Sequence, residues 1–404
     1  MNSGKSIGGS RPHVALLVET SLASGRDILR GIARYVREHG NWALYHEARS
    51  LEESVPPWLV RWRGQGVIAR IQNQKMARAL RKTGLPTVDV LGVVEEAGFP
   101  LVHVDDARIA EMAAQHLLER GFHHFGYFGI AGENWSQRRR DAFAKAVRDS
   151  GNWVGVYELG RRISRRGSWE KVEDELARWV SRLPKPAGIM VCSDQRGVLV
   201  LEACRRAGVA VPDEVAVIGV DNDEPLCEVS NPPLSSIAAN HELVGYQAAA
   251  LLERLMHGEA PPSEPVLIRP AGVVQRLSSE TLAIEDRHLA AALRFIRENA
   301  CSGISVDQVA RAAGLSRSVL QRRFHAMLRR TVHQEIIQAR LKRACELLAN
   351  TDLPLIEVAE RAGFKHQEYL SAVLKKRLGQ TPAQYRKSLL GKQPSIGLAA
   401  RNAN

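Results

Sequence analysis

The chain of 404 residues is long enough for two or three domains with full cores, and 45% of its residues are hydrophobic, as in ordinary globular proteins. No apolar run approaches membrane-spanning length, and the first ten residues lack the apolar core of a signal peptide. The five cysteines are scattered and form no metal-type pair: Cys192, Cys204, Cys227, Cys301 and Cys345. We therefore expect a reduced, cytoplasmic protein without a disulfide framework.

Most of the net charge of +12 belongs to the C-terminal quarter of the chain. Residues 287–390 contain 19 Lys and Arg against 8 Asp and Glu, a net charge of +11, so the rest of the chain is almost neutral. Such a concentration of positive charge is what a phosphate-binding module needs. A solubilising basic tail is the alternative, but a tail would lack periodic apolar residues and turn glycines, and this quarter has both.

Residues 11–276 alternate between strand-like apolar runs and helix-periodic segments. This alternation indicates β-α-β units and parallel sheets. One sheet rarely holds so many strands, so we predict a two-lobed α/β domain. Residues 1–10, rich in Gly and Ser, and residues 391–404 are predicted to be disordered. Residues 277–286 are predicted to form a polar linker between the two domains.

The C-terminal quarter contains one helical unit twice, which predicts an all-α domain. In each copy a short helix-periodic segment carries a small residue, Ala310 or Ala359, and ends at a glycine, Gly314 or Gly363. An apolar residue and a second helix rich in Arg or Lys follow. Alanine lets two helices cross closely, and glycine accepts the positive φ of a helix end. The pattern predicts two helix-turn-helix units, joined by a long amphipathic helix from Val332 to Ala349.

The second helix of each unit, Ser316 to Leu328 and Lys365 to Leu378, is predicted to enter the major groove of double-stranded DNA. The base-contact candidates are Arg317, Ser318, Gln321, Arg322, His366, Gln367 and Glu368, because Arg and Gln can make paired hydrogen bonds with guanine and adenine. The phosphate-contact candidates are Arg323, Lys375, Lys376 and Arg377. Leu320 and Phe324 are predicted to be core, and Arg329 and Arg330 to be solvated surface.

This quarter closely resembles the DNA-binding domain of the arabinose-regulator (AraC/XylS) family. The most specific matches are Ala362-Gly363-Phe364 and the end Gly379-x-Thr381-Pro382-x-x-Tyr385-Arg386, in which Thr381 is predicted to cap a helix. One departure is that Leu370 and Leu374 stand where the family usually has aromatic residues. Both are apolar, so we expect the core to repack rather than to be lost.

Residues 11–276 resemble the effector domain of the lactose- and galactose-repressor family, which has the periplasmic sugar-binding-protein fold. The ordered matches are residues 102–106, 114–118, 139–143, 193–195, 208–214, 217–222 and 233–237. That family's own DNA-binding headpiece would precede residue 11 and is absent. Joined to the C-terminal quarter, this sensor resembles the bacterial xylose-operon regulators. The resemblance implies a xylose-responsive transcriptional activator.

Polar residues that directly follow strands are the sugar-binding candidates, because ligands of parallel α/β sheets lie at the carboxyl ends of the strands. These residues are Asp105, Ser193, Asp194, Asp221 and Asn222. Arg139 matches the family's sugar-contacting arginine, and Trp135 could cover an apolar sugar face. Arg26 and Asp27, in the turn after the first strand, are candidates from the other lobe.

Several of these residues have a structural alternative. Asp106 is predicted to cap the following helix rather than to bind ligand, and cap and ligand roles are equally open for Asp194. Trp135 is more often a core residue than a stacking platform. Asn222 can instead serve the turn after its strand. Asp221 and Arg139 carry the most weight, because position and family pattern agree there.

The sequence therefore favours a sugar-controlled, homodimeric DNA-binding regulator that needs no cofactor or metal, and that contacts RNA polymerase if it activates. A different sugar or small effector, and repression instead of activation, remain alternatives. An enzyme on the same scaffold is less favoured, since we find no Gly-rich phosphate loop, nucleophile elbow or metal-spaced His/Cys set. The arginine run at 161, 162, 165 and 166 is predicted to be a solvated loop. An uptake protein is disfavoured by the absent signal peptide and by the DNA-binding quarter.

Overall fold

The computed structural model describes residues 11–39, 42–47, 55–160, 169–280, 284 and 286–390. The two predicted disordered ends, and the arginine run from Arg161 to Arg166, lie outside these residues. The chain divides into two compact units, residues 1–283 and 284–404. None of the helices in the described part of the chain is both long and apolar enough to cross a membrane.

The first lobe of the first unit is a parallel four-stranded sheet with helices against it. Its elements are β1 (His13–Leu17), α1 (Ala23–Glu38), β2 (Ala43–His46), β3 (Gly66–Ala69), α2 (Gln74–Thr83) and β4 (Thr87–Asp89). The strand order is β2-β1-β3-β4, and every residue of β3 is buried. Strands that are covered on both faces consist of continuous apolar runs, so polar and apolar residues do not alternate within β3.

The rest of the first unit continues the β-α alternation and forms most of the second lobe. Its first elements are β5 (Val102–Val104), α3 (Asp106–Leu118), β6 (His124–Ala131), α4 (Asn134–Asp149), β7 (Trp153–Gly160), α5 (Trp169–Arg182), β8 (Ala187–Val191) and α6 (Asp194–Arg206). It ends with β9 (Val215–Val220), α7 (Glu224–Val229), β10 (Ser235–Ala238), α8 (His241–Met256), β11 (Val266–Ile268) and β12 (Gly272–Val274). The six-stranded order is β12-β10-β9-β8-β6-β7, in which only β12 is antiparallel to its neighbour.

The predicted two-lobed α/β fold is therefore correct. The chain passes between the lobes more than once, because α8 returns to pack on α1 while β12 joins the second sheet. β5 and β11 pair with each other in parallel. Two short elements, α7 and β10, were not predicted, because six and four residues are too few to show a period.

Part of the predicted linker belongs to the first unit. Residues Leu277–Ser279 form a 3-10 turn, and Ser278 and Ser279 are fully buried. The Ser278 hydroxyl donates to the Val217 carbonyl oxygen at 2.6 Å and accepts from the Ser235 amide at 2.8 Å. The serines look like linker residues by composition, but the Ser278 hydroxyl is bonded to β9 and β10, and the Ser279 hydroxyl lies 2.8 Å from His116 Nε2 on α3.

The second unit is entirely helical in its described residues. Its helices are α9 (Arg287–Asn299), α10 (Val306–Ala312), α11 (Arg317–Leu328), α12 (Val332–Asn350), α13 (Leu355–Arg361), α14 (Gln367–Leu378) and α15 (Pro382–Leu390). The pairs α10–α11 and α13–α14 are the two predicted helix-turn-helix units. The long helix α12 contributes Val332 and Ile336 to one core and Leu341 and Leu348 to the other.

The residues that fix these units have the predicted roles. Leu320, Phe324, Leu370 and Leu374 are all fully buried, so the two leucines fill the positions of the family's aromatics. Gln384 donates its backbone N–H to the Thr381 hydroxyl at 3.3 Å, which is the predicted cap. Two apolar side chains of each basic helix are buried in a core, and its Arg and Lys side chains are therefore left on the surface.

Candidate ligand and nucleic-acid sites

Asp221 lies where the carboxyl ends of the strands from both lobes meet. It follows β9, and 24% of its side-chain surface remains exposed. Its Oδ1 lies 3.0 Å from Nε2 of His241 at the start of α8. Burial alone would raise the pKa of Asp221, but His241, Arg139 and Arg70 together hold that pKa below its ordinary value. Asp221 therefore presents a reachable carboxylate between cationic groups of both lobes.

Arg139, the other favoured candidate, is held by a buried carboxylate. Its side chain is 4% exposed, and Nε donates to Asp106 Oδ1 at 2.8 Å. Nη1 donates to the Cys192 carbonyl oxygen at 2.6 Å. Arg138 donates to the other oxygen of Asp106 at 2.9 Å. Two of the three nitrogens of Arg139 are thus bound within the second lobe, and its orientation is fixed.

The two aspartates at the start of α3 have exchanged the roles that the sequence suggested. Asp105, predicted to bind sugar, caps α3 by accepting from the Arg108 amide at 3.0 Å. Asp106, predicted to be the cap, is 4% exposed and pairs with Arg138 and Arg139. The helix starts one residue earlier than predicted, which turns the second carboxylate inward. The structure thus gives no support to Asp105 as a ligand residue.

Asp194 is not the cap of α6, and both of its carboxylate oxygens are bound to protein groups. It is 1% exposed, and its Oδ1 accepts from the Ser236 hydroxyl at 2.6 Å while Oδ2 accepts from the Asp223 amide at 2.8 Å. The residue before it, Ser193, occupies the cap position of α6 and is half-buried. Burial, with the nearby charge of Asp221, raises the pKa of Asp194 to about 7. Asp194 therefore stabilises the turn after β9 through these two hydrogen bonds.

Asn222 also contacts protein rather than open cleft. Its side-chain oxygen accepts from Nη1 of Arg276 at 3.0 Å, and its backbone N–H donates to Ser236 Oγ at 3.0 Å. Both Asp221, with φ of 102°, and Asn222, with φ of 54°, adopt positive φ. Asn tolerates the left-handed region, whereas φ of 102° is costly for Asp221 and such strain is commonly retained at functional sites. The alternative of a turn residue is the one that the structure supports for Asn222.

The remaining sequence candidates lie around the same cleft. Trp135 is half-buried, and the guanidinium of Arg139 lies 5.1 Å from its ring centroid. From the first lobe, Arg26 is exposed, donates to the Thr20 carbonyl oxygen at 2.9 Å and lies 4.0 Å from Asp223 of the second lobe. Asp27 pairs with Arg30 at 2.9 Å, and burial raises its pKa. The cleft thus has polar groups on both walls.

Sequence reasoning missed one buried ion pair on the wall formed by the first lobe. Glu19 follows β1 and Arg70 follows β3, and they are 1% and 7% exposed. Arg70 Nη1 donates to Glu19 Oε1 and, at 3.1 Å, to the Ser24 hydroxyl. Glu19 Oε2 and Arg70 Nε have no hydrogen-bond partner. Both residues end apolar runs, and that signal could have singled them out.

Orphaned polar atoms of this kind require an explanation, because a buried donor or acceptor without a partner costs about 1–3 kcal/mol. A polyhydroxylated ligand provides donors and acceptors in one molecule and could satisfy both atoms. Among the described residues, no group of His, Cys, Asp and Glu is arranged to hold a metal ion. The residues around the cleft thus offer both hydrogen-bond donors and acceptors to a hydroxyl-rich ligand.

On the second unit, the predicted DNA-contacting side chains share the outer faces of α11 and α14. Most of them are exposed: Arg317, Ser318, Gln321, Arg322, Arg323, His366, Glu368, Lys375 and Lys376. Gln367 is half-buried and donates to Glu368 Oε1 at 3.3 Å. An exposed basic face beside two closed apolar cores is the physical requirement for docking on phosphates.

Three of the arginines already have partners. Arg317 lies 3.2 Å from Asp307 and Arg323 lies 2.9 Å from Asp286, so part of their charge is neutralised. Arg330, predicted to be solvated surface, pairs with Glu335 at 2.5 Å. Arg329 is exposed and ends α11 with φ of 54°. The sequence alone did not reveal these acidic partners.

Three family profiles match successive parts of the chain. A XylR N-terminal domain matches residues 13–105, a periplasmic binding protein-like domain matches residues 114–279, and a helix-turn-helix domain matches residues 309–388. Together they follow the order of the lobes and of the helical unit.

Relatives and solved structures match nearly the whole chain. The xylose operon regulatory protein of Escherichia coli K12 is 32% identical over 386 residues, covering 93% of this chain and 97% of that protein. The protein of the same name from Haemophilus influenzae is 31% identical, covering 92% and 97%. The structure of the xylose-binding transcription activator xylR has a TM-score of 0.79 at 31% identity and covers 94% of this chain and 98% of that one. A LacI transcriptional regulator from Alkaliphilus metalliredigens, complexed with D-xylulofuranose, has a TM-score of 0.53 at 20% identity, covers 68% of this chain and shares the sensor fold.

Proposed function

The chain belongs to the family of xylose operon regulatory proteins, and from that premise we propose that D-xylose is the ligand that controls its binding to DNA. It is a sugar-responsive, DNA-binding transcription regulator with a periplasmic-binding-protein-like sensor and an AraC-type DNA-binding domain. The relatives are regulators of transcription, and we assign the chain no catalytic residue.

The observation that carries the sugar assignment is the constellation around Asp221. A carboxylate can accept two hydrogen bonds from neighbouring sugar hydroxyls, while Arg70 and Arg139 can donate to ring and hydroxyl oxygens. The orphaned atoms of Glu19 and Arg70 add one acceptor and one donor from the opposite wall. Groups on both lobes are needed if a ligand is to stabilise one arrangement of the lobes.

We propose a ligand set that differs from the sequence-based one in five residues. Asp221, Arg139, Ser193, Trp135, Arg26 and Asp27 are retained, and Glu19 and Arg70 are added. Asp105, Asp194 and Asn222 are assigned to capping and to support of the turn after β9, because each is bound to protein atoms. His241 is assigned to hold Asp221 rather than to bind the sugar.

For DNA, we propose that α11 and α14 enter successive major grooves on one face of the duplex, about 34 Å apart. A homodimer would then present four such helices and protect a long operator with repeated half-sites. We propose that the protein acts as an activator, because the solved relative is a xylose-binding transcription activator, and that as an activator it contacts RNA polymerase. We propose that the protein works in the cytoplasm, at the nucleoid, because its operator DNA is there.

The first test is calorimetric titration of the full chain with D-xylose, arabinose, ribose, glucose and galactose. We expect binding of D-xylose only, and loss of that binding in Asp221→Ala. Binding of a different sugar that depends on Asp221 would keep the mechanism and refute xylose. Absence of binding by all five sugars would refute the sugar assignment.

The second test addresses the DNA. Selection from a random duplex pool, with and without D-xylose, followed by footprinting and size measurement of the complex, would give the operator and its stoichiometry. We expect one dimer to protect four groove segments. Protection of one short segment per dimer would contradict the proposed docking.

A further inference from the structure

The turn that follows β9, residues Asp221–Asp223, contacts three different parts of the first unit. Asp221 points to His241 and the cleft, and Asp223 lies 4.0 Å from Arg26 of the first lobe. The middle residue, Asn222, accepts a hydrogen bond from Arg276. We name residues 275–280 the exit segment, because the chain continues from it into the DNA-binding unit.

The exit segment is bound firmly to the second lobe. Its backbone at Arg276 exchanges two hydrogen bonds of 2.8 Å with the Ser235 hydroxyl. Arg120, in the turn after α3, donates to the Ser279 carbonyl oxygen at 3.0 Å and also to the Gln275 side chain. His116 Nε2 lies 2.8 Å from the Ser279 hydroxyl. The segment is therefore a fixed part of the lobe, and a shift in its support would be passed on along the chain.

The Arg276 side chain connects this segment to the turn beside the cleft by a hydrogen bond. Its Nη1 reaches Asn222 Oδ1 at 3.0 Å and the Leu234 carbonyl oxygen at 3.1 Å. Arg276 is half-buried, so this charge-assisted bond is less screened than a surface contact. The bond joins the residue next to Asp221 directly to the exit segment.

The turn is also a place where a small change in support has a conformational effect. Asp221 holds φ of 102°, which persists only while the surroundings enforce it. The enforcing contacts are Asp194 on the Asp223 amide and Ser236 on the Asn222 amide. We therefore expect a ligand that binds Asp221 to change the balance of these contacts.

From this arrangement we infer that Arg276 is a positioning residue that couples the Asp221–Asp223 turn to the exit segment, and through it couples sugar binding to the DNA-binding unit. The inference rests on the proposed function, since it requires a sugar at Asp221. It assigns to the Arg276 side chain the transmission of the signal from the cleft to the exit segment, which precedes the second unit.

The test compares full-length Arg276→Gln with wild type by hydrogen–deuterium exchange, with and without saturating D-xylose. In wild type we expect the sugar to slow exchange at least threefold at both the turn and residues 275–280. In Arg276→Gln we expect slowing at the turn only. The Kd for D-xylose should stay within about twofold, while the sugar-dependent change in affinity for the selected operator should fall at least threefold.

Three further variants guard against misfolding as the cause. Asn222→Gly removes the acceptor but accepts the positive φ, and it should reproduce Arg276→Gln; the double variant should lose no more coupling than either single one. Arg276→Lys should retain part of the response. Arg182→Gln, at an exposed arginine at the end of α5, should behave as wild type.

The results distinguish a failure of the proposed function from a failure of the inference about Arg276. If wild type does not bind D-xylose, the proposed function fails and the inference falls with it. If wild type binds D-xylose but the exit segment does not respond, or if both single variants still respond as wild type does, the inference alone is overturned.

Discussion

The carboxylate of Asp106 accepts a hydrogen bond of 2.8 Å from Nε of Arg139, and both side chains are almost completely buried. Arg139 lies on α4 and Asp106 at the start of α3, so this pair fastens two helices at the wall of the cleft. Taking two charges out of water is costly, and only good geometry offsets it. The second oxygen of Asp106 is used by Arg138, which completes that geometry.

We predict that Asp106→Asn destabilises the sensor unit by about 3–5 kcal/mol, because Arg139 would remain buried without its counter-ion. The affinity for D-xylose should fall at least tenfold, since the guanidinium loses its orientation. The matched control is Asp105→Asn, since Asn is as good a helix cap as Asp; its stability should change by less than about 0.5 kcal/mol. Urea unfolding followed by tryptophan fluorescence measures the stability of both variants. Equal behaviour of the two variants would show that the exchanged roles are wrong.

For the Glu19–Arg70 ion pair on the first lobe, we predict that Glu19→Gln weakens D-xylose binding at least tenfold. The amide replaces a charged acceptor opposite the ligand and leaves Arg70 without its counter-charge. The control is Glu242→Gln, which removes a partly exposed pair with Arg34 and should leave the affinity within about twofold. Calorimetric titration gives both values. Wild-type affinity in Glu19→Gln would remove Glu19 from the ligand set.

The buried carboxyl of Asp194 predicts a pH dependence of stability. Burial, and then the charge of Asp221, raises its pKa from 3.8 to about 7, so the folded chain binds this proton more tightly than the unfolded chain does. The stabilising contribution is full below about pH 3.8 and is lost as the pH rises towards about 7.

We therefore expect wild type to lose about 2 kcal/mol more stability than Asp194→Asn between pH 5 and pH 8, since one unit of pH across a single titration corresponds to about 1.4 kcal/mol. Unfolding of the two proteins at both pH values isolates this group from the other titrating residues. A pH dependence equal in the two proteins would show that Asp194 does not titrate in this range.

The two turn glycines of the DNA-binding unit predict unequal effects of the same substitution. Gly363 has φ of 78°, and a Cβ there would lie 2.6 Å from Cys301 Cα and 2.7 Å from its carbonyl oxygen. Gly314 has φ of 65°, but its nearest neighbour, His288 Nδ1, would lie 3.7 Å away. Gly314→Ala should thus cost about 1–2 kcal/mol for the left-handed backbone alone.

Gly363→Ala should cost clearly more than Gly314→Ala, because it adds overpacking against backbone, typically about 1–3 kcal/mol. Thermal unfolding of the helical unit, followed by circular dichroism of the full chain, gives the comparison. DNA affinity measured on the selected operator should fall in the same order. The opposite order would contradict the close approach of α13 and α14 to the turn at Cys301.

For the DNA-contacting faces, the paired substitution Lys375→Ala and Lys376→Ala should weaken binding to all duplexes alike. It should reduce the slope of log K against log salt by about 1 for each lysine that contacts a phosphate. Arg322→Ala should instead cost about 1–3 kcal/mol on the selected operator only. Lys145→Ala, on α4 of the sensor, is the charge-matched control. Anisotropy titrations at several salt concentrations separate these outcomes, and an unchanged salt slope in the lysine variant would remove both residues from the interface.

The sequence by itself determined the two-part architecture of this protein. Continuous apolar runs between helix-periodic segments are typical of covered parallel strands, and the doubled pattern of small residue, glycine and basic helix indicates the helix-turn-helix units. These signals are local, because each depends on the spacing of residues within about twenty positions. Family resemblance supplied the ligand class, which local patterns did not.

Only the tertiary structure decided which polar residues face the cleft. Asp105 and Asp106 are adjacent in sequence, and a shift of one residue in the start of α3 exchanges cap and counter-ion. Glu19 meets Arg70 across 51 residues, and Asn222 meets Arg276 across 54. Such pairs satisfy buried charge and hydrogen-bonding groups at a distance, and their partners are set by the packing of strands and lobes rather than by neighbouring residues.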